Sequence, residues 1–67
     1  MKMKIGVVTS RFNEEVTSKL EAGAIEFLEN FQDAEIEIWS VRVPGAVEIP
    51  IAAKALLNKG CDGVVAL

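Results

Sequence analysis

Eight residues, Val43-Pro44-Gly45-Ala46-Val47-Glu48-Ile49-Pro50, set the tightest limit on the backbone of this chain. They join an extended run to a helical one through two prolines and a glycine. Proline fixes φ near −65°, and glycine either takes a positive φ or lets another molecule approach its backbone closely. Pro50 suits the first turn of a helix, where its missing N–H costs nothing. The segment therefore reads as a stiff strand-to-helix turn with free amides at the helix start, where polar or anionic groups bind well. Glu48 in that turn has two open readings: a partner for the helix dipole, or a ligand-binding carboxylate.

The rest of the chain supplies elements on either side of this turn. Ile5-Gly6-Val7-Val8 within Lys4–Thr9 is apolar at successive positions, as expected of a strand covered on both faces of a parallel sheet. Ser10-Arg11-Phe12-Asn13 follows as a loop. Asn13 is a suitable N-cap, and Glu14 and Glu15 put negative charge in the first turn of a helix over 14–30. Val16, Leu20, Ala24, Phe27, Leu28 and Phe31 recur at three- and four-residue spacing and predict its inner face. Glu35–Val43 alternates like an edge strand, with Trp39 on its polar phase and awaiting a cover. Ile49, Ala52, Ala53, Leu56 and Leu57 predict a second helix that Gly60 ends, and Val64–Leu67 is a third apolar run. The order β-α-β-α-β with right-handed crossovers predicts half of a flavodoxin-like α/β parallel sheet with strand order 2-1-3. Ligands of such sheets bind beyond the carboxyl ends of the strands, which brings the 10–13 loop and the 43–50 turn to one rim.

Composition narrows the function. At 67 residues the chain holds one domain at most, residues 1–67, read as a single partial domain of marginal stability. A net charge of −3 with no basic run argues against nucleic acid, and no apolar run reaches the length of a membrane span. The basic start at Met1-Lys2-Met3-Lys4 is followed by too short an apolar run for a secretory signal, so a cytoplasmic location is expected. The lone Cys61 forms no internal disulfide and reads as structural. Histidine is absent, which removes imidazole acid–base chemistry, and no Cys/His or carboxylate cluster suggests a metal site. The G-x-G-x-x-G fingerprint is missing around Gly6, which disfavours a small nucleotide-binding module.

The loop and the turn hold the candidate site residues. Phe12 either stacks on a flat heterocycle or folds under the loop to cap the core. Arg11 is either an anion ligand or a solvated charge. The strings Ser10-Arg11-Phe12-Asn13-Glu14-Glu15-Val16-Thr17-Ser18-Lys19-Leu20, Val41-Arg42-Val43-Pro44-Gly45-Ala46-Val47-Glu48-Ile49-Pro50 and Ala52-Ala53-Lys54 closely resemble the 6,7-dimethyl-8-ribityllumazine synthase family, and the resemblance covers essentially the whole chain. It implies a transferase of riboflavin biosynthesis with a flavodoxin-like fold. The family condenses 5-amino-6-(D-ribitylamino)uracil with 3,4-dihydroxy-2-butanone 4-phosphate without a cofactor.

By position, the resemblance implies that Phe12 stacks on the pyrimidine while Ala46, Val47 and Glu48 bind the ribitylamino-uracil. Glu48 would accept hydrogen bonds from ribityl hydroxyls, a role that suits an ionised carboxylate. Arg11, Asn13 and Gly45 are further candidates at the same rim. Position 47 is commonly aromatic in the family and is valine here. The family's phosphate-binding loop, its proton-shuttling histidine and its phosphate-contacting arginine fall beyond Leu67, so the resemblance assigns no catalytic residue and no metal to these 67 residues. It implies the N-terminal half of such an enzyme, without turnover by itself, and homo-oligomers that are pentamers or shells of pentamers. The alternative expectation is a self-associating structural module of the same fold, because three strands leave two open edges.

Overall fold

The central strand is the most deeply buried stretch of the chain. In the computed structural model, which describes residues 2–67, β1 runs over Lys2–Ser10 and its residues Gly6–Ser10 are buried. Met1, at the head of the basic start noted above, lies outside the described residues. The chain continues through α1 (Glu14–Glu29), β2 (Glu35–Val43), a single 3-10 turn (Ala46–Glu48), α2 (Ile49–Asn58) and β3 (Gly63–Ala66). The sheet order is β2-β1-β3, and both pairings are parallel. This is the α/β architecture and the 2-1-3 order expected from the sequence.

Register explains which side chains meet. Gly6 pairs with Trp39, Val8 with Val41, Thr9 with Arg42 and Ser10 with Val43 on one side of β1; Ile5 pairs with Gly63 and Val8 with Ala66 on the other. Paired residues of parallel strands share a face, and successive residues alternate. Val8 therefore joins Val43, Leu56 and Cys61 in a core against α2, with Trp39, Ile49, Ala52 and Val64 packed around it. Thr9, Ser40 and Arg42 face α1 instead, and all three donate to Glu21.

The close approach of α2 depends on Gly6. A Cβ built there would lie 2.7 Å from Leu56 Cδ1 and 3.3 Å from Leu56 Cβ. Gly60 ends α2 at φ 106°, with Cys61 N donating to Leu56 O and Gly60 N to Leu57 O, both at 3.1 Å. That paired pattern, with buried Cys61 against Leu56, is a Schellman stop. Asp62 then clasps the start of β1: its N–H donates to Lys4 O at 2.7 Å, and its carboxylate accepts from Lys4 N–H at 2.8 Å.

Four sequence expectations change. Trp39 is not left waiting for a cover: it packs partly on the α2-side core, Lys4 Nζ stands 5.3 Å from its ring centroid, and its indole N–H donates to Glu37. The apolar alternation in β2 shifts phase midway, so that Ile36 and Ile38 lie on the α1 face while Val41 and Val43 lie on the α2 face. Asn13 occupies the N-cap position of α1 but in the left-handed region (φ 60°, ψ 55°), which asparagine tolerates, and its side chain makes no capping bond. Its carbonyl accepts from Val16 N–H and Thr17 N–H instead. The fourth change concerns the face of α1. Glu21 is its buried residue, flanked by half-buried Thr17, Ala24, Ile25 and Leu28, whereas Val16, Leu20, Phe27 and Phe31 are exposed. The apolar stripe of α1 lies beside its contact with the sheet. No helix among the described residues is long and apolar enough to cross a membrane.

Candidate functional site

The two segments singled out in the sequence meet at the carboxyl rim of the sheet. Arg11 N–H, just past the end of β1, donates to Val43 O at 2.7 Å, and Ser10 N–H donates to Leu67 O at 2.8 Å. The loop is thus sewn between β2 and the end of β3 by backbone bonds. Ser10 Oγ accepts from Phe12 N–H at 3.1 Å, which tightens the loop. Its consequence is a ring held outward, with Phe12 78% exposed. That exposure excludes the reading in which Phe12 caps the core.

The turn after β2 presents a complementary set. Gly45 is extended at φ −157°, ψ 177°, a conformation open to any residue, so the turn itself does not require glycine there. A Cβ at Gly45 would meet only the Glu48 carboxylate, at 3.9 to 4.0 Å. Apart from that carboxylate the space beside Gly45 is open. Gly45 O accepts from Glu48 N–H at 3.2 Å and closes the 3-10 turn. Ala46 is exposed, Val47 is 84% exposed, and Glu48 is half-buried at the N-cap of α2 with Pro50 in the first turn. An exposed ring, an exposed aliphatic side chain and a half-buried carboxylate thus stand on two segments joined by the Arg11–Val43 backbone bond.

Of the remaining candidates, Arg11 is exposed and lies 3.8 Å from Glu14 in the first turn of α1. A solvated pair of that length is weak and leaves the guanidinium free to move. Asn13 serves through its backbone, as described.

Sequence reasoning missed Glu21. It is 8% exposed and sits beneath the rim, where its Oε2 accepts from Thr9 Oγ1 at 2.9 Å and Ser40 Oγ at 3.3 Å. Its Oε1 accepts from Arg42 Nη2 at 2.8 Å. The Arg42 guanidinium holds the Glu21 carboxyl below the usual carboxylate range, against the upward push of burial, and the two hydroxyls add to the lowering. Glu21 in turn raises the pKa of Arg42. The usable signal was the polar triplet Thr9, Ser40 and Arg42 on strand positions that face a helix.

The exposed Phe12 ring and the Glu48 carboxylate stand at the carboxyl rim of a parallel α/β sheet, the edge at which sheets of this class bind their ligands. The chain belongs to the 6,7-dimethyl-8-ribityllumazine synthase family, whose model matches residues 2–67. It is 62% identical over 66 residues to the 6,7-dimethyl-8-ribityllumazine synthase of Bdellovibrio bacteriovorus, a match that covers 98% of this chain and 36% of that protein. The chain thus spans little more than a third of the length of that curated relative.

Proposed function

We propose that this chain carries the pyrimidine side of a lumazine synthase site, as a single partial domain over residues 1–67 that acts in riboflavin biosynthesis. The observation that carries the reading is the Phe12 ring, held outward by a loop that is hydrogen-bonded to the turn bearing Glu48. Phe12 stacks on the uracil ring of 5-amino-6-(D-ribitylamino)uracil. The backbone of Gly45 and Ala46 approaches the polar edge of the ring, Val47 covers it, and Glu48 accepts from ribityl hydroxyls. The groups that engage 3,4-dihydroxy-2-butanone 4-phosphate lie outside these 67 residues, so the isolated chain binds without turnover.

Calorimetric titration with 6-(D-ribitylamino)uracil, which lacks the reactive 5-amino group, tests the binding half. A base stacked on an aromatic ring contributes about 1–3 kcal/mol, so Phe12→Ala weakens binding by roughly five- to 150-fold. Failure of the parent chain to bind, or equal affinity in Phe12→Ala, overturns the reading. Lumazine formation by chain purified from a host lacking the enzyme overturns the claim of no turnover.

A second reading rests on the uncovered stripe of α1. Val16, Leu20, Phe27 and Phe31 are exposed, and Lys19 and Glu26 flank the stripe on one side. In an antiparallel pair of α1 helices, Lys19 of one copy lies opposite Glu26 of the other, so the occupant of choice is a second copy of this chain. Sedimentation that stays monomeric at every concentration refutes this reading.

A further inference from the structure

We infer that Glu21 and Arg42 are positioning residues for the pyrimidine site: the ion pair beneath the rim sets the spacing of the two segments that grip the ring. This rests on the pyrimidine-site reading above. Thr9 is the last residue before the Ser10–Asn13 stretch, and Arg42 is the last before the turn that starts at Val43. The two are register partners on neighbouring strands. One carboxylate accepts from both, at 2.9 and 2.8 Å, and from Ser40 as well. That carboxylate belongs to α1, the helix that begins where the loop ends. Both ends of the Phe12 loop and the start of the Glu48 turn are therefore referred to a single side chain.

The chemistry of the pair supports this role better than a purely stabilising one. A buried or half-buried ion pair contributes little net stability, because desolvation offsets attraction, and an apolar pair of similar volume often serves a fold as well or better. What an apolar pair cannot supply is direction. Carboxylate and guanidinium bond along fixed directions, and Arg42 is held by Glu21 while its side chain remains 49% exposed. Binding groups need their partners within about 0.5 Å of the productive geometry, and small misplacements cost large factors.

The test is the double substitution Glu21→Leu/Arg42→Met in the 67-residue chain, with Arg42→Lys as the conservative partner. The double variant stays folded, its melting temperature lowered no further than the unpartnered Thr9 hydroxyl requires, yet binds 6-(D-ribitylamino)uracil about tenfold more weakly, a loss of the size that misplaced binding groups produce. Its amide resonances at Arg11, Phe12 and Gly45 shift in the free protein. Arg42→Lys retains the cation and binds within about threefold of the parent, since lysine can pair with the carboxylate but lacks the fork. Parent-like affinity in the folded double variant overturns the inference, as do unmoved resonances or an Arg42→Lys chain as weak as the double variant. A parent chain that does not bind, or binds without regard to Phe12→Ala, overturns the pyrimidine-site reading and this inference with it. A loss of affinity matched by a loss of fold is separated by the Arg42→Lys chain, whose retained fold and parent-like affinity support the inference.

Discussion

Gly6 is where the strand and the second helix come closest, and adding one methyl group there measures how tightly the core is set. In Gly6→Ala the new Cβ meets Leu56 Cδ1 at 2.7 Å, below any ordinary carbon contact, and Leu56 Cβ at 3.3 Å. The δ-methyl can swing away, whereas Leu56 Cβ moves only with α2. Overpacking of this kind costs about 1–3 kcal/mol. Replacing glycine gains back about 0.4–1 kcal/mol by restricting the unfolded chain. The net expectation is a loss of about 1–2 kcal/mol. Leu56→Ala alone costs about 2–5 kcal/mol, since it opens a void in the core. In the double variant the methyl added at position 6 enters space that the leucine vacated, so the two losses fall short of additivity by about 1 kcal/mol, within the range for residues in contact. Urea unfolding followed by Trp39 fluorescence and far-ultraviolet circular dichroism gives all four corners of this cycle. A neutral or stabilising Gly6→Ala, or a cycle additive to within about 0.3 kcal/mol, refutes the reasoning.

Gly60→Ala forces a side chain into φ 106° and lowers stability by about 1–2 kcal/mol, seen as a fall in the melting temperature; Asn58→Ala, two residues earlier and exposed, changes it little. The Glu21 carboxyl is held below its unfolded value, so its stabilisation is complete above the ordinary carboxylate range and is lost as pH falls through the folded pKa. Melting curves of the parent chain therefore decline in acid more steeply than those of Glu21→Leu/Arg42→Met, and parallel declines would show that the pair is not the acid-sensitive element. Phe27→Ser leaves unfolding free energy within about 0.5 kcal/mol of the parent, because the ring is 67% exposed, and abolishes any concentration-dependent sedimentation that arises from the α1 stripe.

The parts of the fold legible in the sequence are those where one physical cause dominates. Val7 and Val8, apolar at successive positions, required cover on both faces, and they form the buried centre of the sheet. Pro50 and Gly60 marked the two ends of α2 through backbone restriction alone. Periodicity was weakest where polar and apolar partners compete for one face. The apolar arc of α1 is the more hydrophobic, yet the sheet presents Thr9, Ser40 and Arg42 to that helix, and hydrogen bonding to Glu21 takes precedence there. Hydropathy assigns a helical glutamate to solvent, so Glu21 stayed hidden. At the rim, turn chemistry marked Pro44–Pro50 as a special join, but the roles proposed for Phe12 and Glu48 rest on family resemblance. Nothing in residue spacing distinguishes an outward ring from a tucked one; the exposure of Phe12 in the folded chain does.

The middle position of β1 has a consequence for synthesis. β1 leaves the ribosome before both of its sheet neighbours, which are encoded later: β2 begins at Glu35 and β3 at Gly63. At about 5–20 residues per second, roughly 3–10 s separate the emergence of the end of β1 from that of β3. Throughout that interval one side of the most deeply buried strand has no partner of its own, and nascent chains on neighbouring ribosomes offer the same sequence to it. A chain built in this order relies on chaperone shielding during translation more than one whose central strand comes last.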